Sequence, residues 1–517
     1  VETLYAEAAR SEEKGMACCV DQYFELAAQT ASLFNPFQPA GRSYELHRTA
    51  LIKIVECGTR FSRLDPRHGL VVVRHNKQVL IPIHHHGFVW EPEDFERLTP
   101  VPNYTSRSLR NIYREPGLGV PLLVTSNRPR QNPFLNKNVV FPATLVFRVD
   151  ETDGEESSSG EQTEVDRYAL ELYDPYRFDL ADIGGHPTRL AKDLSSPFAY
   201  RLRDYKGNFI TEFLTPGATE GESRLYTVEP YQQGKIPIVL VHGLLSDRFT
   251  WLEMINELYA TKGFHEHFQI WNFEYPTGQP FFTSATVLRI KLEEARRAFD
   301  PNGCDAKLSE MILVGHSMGG LIAKMQVTYS GDDLWGSVAR VPIEWLTISP
   351  SMKEKLVSAF FFDPSPHISR LVFIGTPHRG STYARRPIGR LASSLVSPPE
   401  ERQRSHRELI DRNPGAFRSE VSQRIPSSID MLEPSSELLQ TIDKLPIAPN
   451  VKLHSIIGNS RWTLGNGPSD GIVPVESARH AKAISERKIF ETHSKLHKHQ
   501  EAVCELIAIL NQHISER

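Results

Sequence analysis

The spacing of apolar residues changes twice along this chain and so marks out three stretches. From Val1 to about Phe34, apolar and small residues at Tyr23, Leu26, Ala27, Thr30 and Leu33 follow the three-and-four spacing of one helical face. From about Leu70 the texture becomes short β-rich runs, GLVVVRH, KQVLIPI, FPATLVFRV and RYALELYD, separated by Pro, Gly and Asn. Between the last two runs, residues 151–166 form a polar, acidic tract without an apolar anchor, which predicts a mobile, solvated hairpin loop. After about Ser223, apolar strands alternate with amphipathic helical stretches, as a mainly parallel sheet flanked by helices requires. The expected strands are Leu225 to Val228, Pro237 to Val241, Phe268 to Phe273, Met311 to Val314, Leu371 to Ile374, Val451 to Ile457 and Lys488 to Glu491. Helices are expected at Ser284 to Phe299, Leu321 to Tyr329 and Glu501 to Gln512.

This pattern predicts an α/β chain of two parts. Residues 1–223 form a helical segment and a mixed, β-rich domain whose role the sequence leaves open; residues 224–517 form the sheet-and-helix domain. Two insertions in the second part, at about 331–366 and 381–445, far exceed the usual connection of a few residues and predict a cap. The first carries Trp335, Trp345, Phe360, Phe361 and Phe362. The second carries Ile388, Leu391 and Leu395 at helical spacing, which suits either a mobile interfacial lid or a fixed helix with its apolar face on the core.

Composition narrows the function classes. The 517 residues include 59 basic and 63 acidic side chains, a net charge of −4, so the chain lacks the excess of cations expected of a nucleic-acid binder. No apolar run approaches the ~18 to 20 residues that span a bilayer. Cys18, Cys19, Cys57, Cys304 and Cys504 are scattered and odd in number, which argues for buried thiols over a disulfide framework or a metal site. His84, His85 and His86 are adjacent on an expected strand, where alternate side chains point to opposite faces, so they do not converge on one ion. The first stretch, VETLYAEAARSEEKG, lacks the basic and apolar regions of a secretory signal, which does not exclude export in a chain that starts at Val1.

The chemistry concentrates in the second part. Gly315-His316-Ser317-Met318-Gly319 follows an apolar strand and precedes a helical run, the setting in which a sharp turn holds a serine strained and exposed at a sheet edge. Gly315 and Gly319 allow the close backbone approach that this turn needs. The run IPIVLVHGLLSD ends a strand at His242-Gly243, which places the Leu244 N–H near the same edge; with the Met318 N–H it forms a candidate oxyanion hole. A serine hydroxyl needs an imidazole base, and the base needs a carboxylate, in the chain order Ser, acid, His. Asp470, in a Gly- and Pro-rich loop, is the candidate acid. His493, His497 and His499 follow the last strand; His493 is preferred because it falls in the loop just past that strand, and His497 stays open as the alternative. His378 precedes Asp470, which is the wrong order for the base.

On these residues, 224–517 resembles the lipase and esterase branch of the α/β-hydrolase family. VHGLLSD, YPTG at Tyr275 to Gly278, GHSMGG, FIGTPHRGS and SDGIVP carry the resemblance, and EPYQQGKIPIVLVHGLLSD with FEYPTGQP is similar to bacterial lipase-like proteins that carry a front domain. The resemblance implies an α/β-hydrolase fold and cleavage of carboxylic esters through an acyl-enzyme. It also implies an ester or lipid substrate, transient contact with a lipid interface, no nucleic-acid partner, no metal or organic cofactor, and export or association with a bacterial cell envelope. A phospholipase or thioesterase would use the same residues, and a hydrolase-fold binding module without activity is the rival from another class.

Overall fold

The computed structural model describes residues 1–101, 109–127, 132–136, 138–149, 167–203, 223–381, 400–423, 425, 427–463 and 467–516. The chain divides into two compact units, one of Val1–Tyr205 with Tyr259–His265 and one of Lys206–Leu258 with Glu266–Arg517. The acidic tract at 151–166 and the segment with Ile388, Leu391 and Leu395 lie outside the described residues. So does most of the stretch before Ser223, where the sequence places its boundary.

In the first unit the single helical stretch expected up to Phe34 is two helices, Glu2–Glu13 and Cys19–Ala31. Gly15, at φ +67°, turns the chain between them. Leu33 lies beyond the second helix and is 52% exposed, whereas Tyr23, Leu26, Ala27 and Thr30 are buried. A third helix, Gly41–Arg60, buries Leu46, Ala50, Leu51, Ile54 and Val55, a helical spacing that the expected elements did not include. The helices pack on a seven-stranded mixed sheet in the order Leu64–Asp65, Gly69–Arg74, Lys77–His86, Tyr168–Tyr173, Val139–Val149, Val120–Ser126, Arg97–Pro100. His84 is exposed, the His85 ring bonds to the Pro66 carbonyl at 3.0 Å, and the His86 ring stacks on Tyr173. Cys19 and Cys57 are buried neighbours, and burial pushes the Cys57 thiol up to about 12; Cys304 and Cys504 are exposed, against the expectation of buried thiols.

The second unit is α/β. Its seven-stranded sheet runs Arg224–Thr227, Phe268–Glu274, Ile236–Val241, Met311–His316, Ile368–Ile374, Lys452–Gly458, Ala483–Ile489. The first strand is antiparallel to its neighbour and the other pairings are parallel. Ile236–Val241 and Met311–His316 are buried at every position, which is why IPIVLV and MILVGH read as unbroken apolar runs. The last strand begins five residues before the expected Lys488, because as a polar edge strand, AISERKI, it carries little apolar signal. The helix after Ser317 is Met318–Lys324, shorter than expected; beyond it Thr328 pairs with Ile447.

The insertions hold short helices, among them Asp333–Gly336, Pro350–Phe360, Glu400–Arg412 and Glu437–Lys444. Trp335 and Phe360 are buried and meet edge to face at 5.5 Å, while Trp345 is 75% exposed. Among the described residues no helix is long and apolar enough to cross a membrane, and no group of three His, Cys, Asp or Glu is placed to hold a metal ion.

Candidate active site

Because the strands are parallel, several of their carboxyl ends share one edge of the sheet, and the chemically suggestive residues gather there. Ser317 follows Met311–His316, His242-Gly243-Leu244 follow Ile236–Val241, and His493 follows Ala483–Ile489. Asp470 follows a two-stranded hairpin, Arg461–Thr463 with Gly467–Ser469, that extends from the end of Lys452–Gly458.

Ser317 has φ 54° and ψ −126°, a left-handed backbone that costs a non-glycine residue about 1 to 3 kcal/mol. Its N–H donates to the Ile374 carbonyl at 2.9 Å, which fixes the turn to the neighbouring strand. A Cβ at Gly319 would lie 2.2 Å from the Val241 carbonyl oxygen, and one at Gly315 would lie 2.5 Å from the Gly320 Cα, so both positions must be glycine. The expectation of an exposed serine needs correction: Ser317 is only 8% exposed. The Gly243 turn crowds it, since a Cβ there would fall 2.9 Å from the Ser317 Cβ.

The His493 ring bridges the serine and the acid. Its Nε2 is 2.8 Å from Ser317 Oγ and its Nδ1 is 2.6 Å from Asp470 Oδ2. An ionised Asp470 only accepts, so Nδ1 carries the proton and Nε2 offers its lone pair to the serine hydroxyl. The other carboxylate oxygen accepts from the N–H groups of Ile472 at 2.9 Å and Val473 at 2.7 Å, which holds the acid in place. His493 is the first residue of a short helix, His493–Leu496, instead of lying in the expected loop.

The other histidines are placed differently. The His497 ring is buried against Trp251 and His316, its Nδ1 has no partner, and burial pushes its pKa down to about 3. His499 caps the closing helix, its ring accepting from the Glu501 N–H at 3.3 Å. His378 is fully buried between Phe373 and His480 with neither ring nitrogen hydrogen-bonded.

The candidate oxyanion donors flank the serine. Met318 is the first residue of its helix, so its N–H has no acceptor within that helix. Leu244 follows the Gly243 turn, which two residues of the YPTG motif hold: the Tyr275 hydroxyl donates to the His242 carbonyl at 2.6 Å, and Thr277 Oγ1 accepts from the Leu245 N–H at 3.3 Å. Burial pushes the His242 imidazole down to about 4; its Nε2 accepts from the Tyr275 N–H, so its Nδ1 donates to the Gly243 carbonyl.

Two further close approaches at this edge lie outside the residues expected from the sequence. A Cβ at Gly458 would sit 2.7 Å from the Asp470 Cβ, and one at Gly320 would strike the Thr376 side chain. The doubled glycine of GHSMGG was a readable signal for the second; the first had none.

A cavity of about 660 Å³ lies in the same unit, walled by apolar side chains that include Phe282, Val287, Trp335, Leu356, Phe417 and Met431. Ser317, Asp470, His493, Leu244 and Met318 do not line it.

No protein-family model and no curated protein matches the chain. Among solved structures it is similar to the mature form of the Bacillus licheniformis lipase BlEst2, at 17% identity and TM-score 0.34 over 56% of this chain and 98% of that one. It is similar also to Staphylococcus hyicus lipase, at 14% identity and TM-score 0.33 over 55% and 97%. A third is phospholipase PlaB from Legionella pneumophila, at 15% identity and TM-score 0.29 over 48% and 46%.

Proposed function

We propose that this protein is a serine hydrolase of carboxylic esters with an α/β-hydrolase catalytic domain at 224–517, and that Ser317, His493 and Asp470 are its catalytic triad. The observation that carries this reading is the His493 ring, hydrogen-bonded to Ser317 at 2.8 Å on one side and to Asp470 at 2.6 Å on the other.

In this mechanism Ser317 Oγ attacks the ester carbonyl carbon as its proton passes to His493 Nε2. The imidazolium is stabilised by the Asp470 carboxylate, which does not itself take the proton. The carbonyl oxygen, now an oxyanion, accepts from the N–H groups of Leu244 and Met318, each worth about 3 to 4 kcal/mol in such sites. His493 returns the proton to the leaving alcohol, and the acyl-enzyme on Ser317 remains. Water, deprotonated by the same imidazole, then attacks that ester, and collapse of the second tetrahedral intermediate frees the acid and restores the serine. No step needs a metal or an organic cofactor.

The test is hydrolysis of a chain-length series of p-nitrophenyl esters by the intact chain, Ser317→Ala, His493→Ala and His497→Ala. The reading expects Ser317→Ala and His493→Ala to lose about a thousandfold or more in kcat and His497→Ala to keep its activity if it folds. An intact chain that hydrolyses no ester and takes no fluorophosphonate on Ser317 overturns it in favour of a binding module.

A further inference from the structure

His316, the residue before the serine, is buried and takes no part in the proton transfers above. Its Nε2 lies 3.1 Å from the main-chain carbonyl oxygen of His493. A carbonyl only accepts, so Nε2 carries the proton and the ring is the neutral Nε2–H tautomer. The remaining nitrogen, Nδ1, has no hydrogen-bond partner and faces the Gly243 turn, where a Cβ would lie 3.1 Å from it. The ring thus stands between the candidate oxyanion turn and the base, with its centroid 4.9 Å from that of His493 and 4.6 Å from that of His497. Burial and the neighbouring histidines hold its pKa well below the usual imidazole range, in keeping with a neutral donor.

The other end of the His493 peptide is held too, because its N–H donates to the Asp470 main-chain carbonyl at 3.0 Å. His493 is therefore tied by its N–H to Asp470 and by its carbonyl to His316, while its side chain bridges Asp470 and Ser317. We infer that His316 is a positioning residue that locks the backbone of the base through the Nε2–H···O=C bond to His493 and so sets the reach of His493 Nε2 to Ser317. This rests on the hydrolase reading. The physical reason is leverage: His493 sits at the start of a single-turn helix, and a displacement of about 1 Å at a reacting group costs about a hundredfold in rate.

Two variants separate positioning from mere packing. His316→Phe keeps an aromatic ring but has no donor; His316→Gln keeps an N–H donor at the end of a side chain of similar reach. The measurements are kcat and KM on a short-chain p-nitrophenyl ester and the rate of fluorophosphonate labelling of Ser317, with thermal unfolding of each variant alongside. The inference expects His316→Phe to lose about 30-fold in kcat and in labelling rate with KM within about twofold of the parent, and His316→Gln to recover most of that loss. Equal activity in parent and His316→Phe overturns it, as does an equal loss in both variants or a loss carried by KM. Should His316→Phe not fold, a His316→Gln that folds and has lost its labelling rate also overturns it. A parent that neither hydrolyses esters nor labels at Ser317 overturns the hydrolase reading itself, whereas an active parent with an indifferent His316 overturns only the positioning role.

Discussion

The Tyr275 hydroxyl donates to the His242 carbonyl at 2.6 Å while its ring stacks on the His242 imidazole at 4.3 Å and 12°. Both contacts brace the turn that presents the Leu244 N–H. Tyr275→Phe leaves a buried carbonyl without that donor, a loss of about 1 to 3 kcal/mol in stability. Under the proposed hydrolase mechanism, kcat is expected to fall about tenfold, short of the hundredfold or more of a deleted oxyanion donor, with KM nearly unchanged. A lower melting temperature with unaltered kcat would detach this brace from the chemistry.

Lys324, on the helix that follows Ser317, has no solvent exposure; its ammonium bonds to the Asp443 carbonyl at 3.1 Å and lies 3.6 Å from that carboxylate. Burial pushes its pKa down to about 8, with Asp443 opposing the shift. The unfolded chain holds this proton more tightly, so the residue's penalty is complete at pH 7 and is relieved as pH rises from about 8 to about 10.4. Lys324→Met, of similar length and without charge, is expected to be more stable at pH 7 by on the order of 1 kcal/mol. Urea unfolding at pH 7 and pH 10 checks this, and an advantage that grows with pH would contradict it.

Burial also depresses several histidines: His47, His242, His454 and His513 to about 4, with His316 and His378 well below the usual value. Each takes its proton earlier in the unfolded chain, so stability is expected to fall as pH drops from about 6.5 to about 4, at about 1.4 kcal/mol per pH unit for each one titrating. His454 accepts from buried Arg370 at 2.7 Å on one ring nitrogen and contacts Ser485 at 2.7 Å with the other. His454→Gln should flatten the slope of urea stability against pH by about one proton; an unchanged slope would remove His454 from the set.

The 660 Å³ cavity is within the range of small-molecule sites. Its wall at Met431 adjoins Leu432, whose carbonyl accepts from Ser381, and Ser381 in turn bonds to Ile472 beside the acid. Because Ser317 and its partners do not line this cavity, Val287→Trp is expected, on the proposed hydrolase mechanism, to leave kcat/KM on acetyl and dodecanoyl esters alike within about twofold. A loss confined to the dodecanoyl ester would place the acyl chain here.

How far the residues alone could carry the reading depended on burial. Strands such as IPIVLV and MILVGH are buried throughout and announce themselves as apolar runs, whereas the edge strand AISERKI alternates with solvent and showed only its end. The helix Gly41–Arg60 has a buried face at helical spacing outside the expected elements, and Gly15 splits the first expected helix in two.

At the site, the available chemistry is legible in the residues: a serine between glycines after an apolar strand, a later Asp in a loop, and a cluster of three histidines. Local spacing carries that much because a tight turn needs glycine and a strand needs apolar residues. Which imidazole meets the Ser317 oxygen depends on how distant segments pack. His493 and His497 are one helical turn apart, yet one ring reaches Ser317 and Asp470 while the other is buried against Trp251 and His316. The same holds for His316 and Tyr275, whose acceptors are the carbonyls of His493 and His242. Every side chain can find such backbone groups, and which one it meets depends on segments 33 and 177 residues apart arriving at one sheet edge.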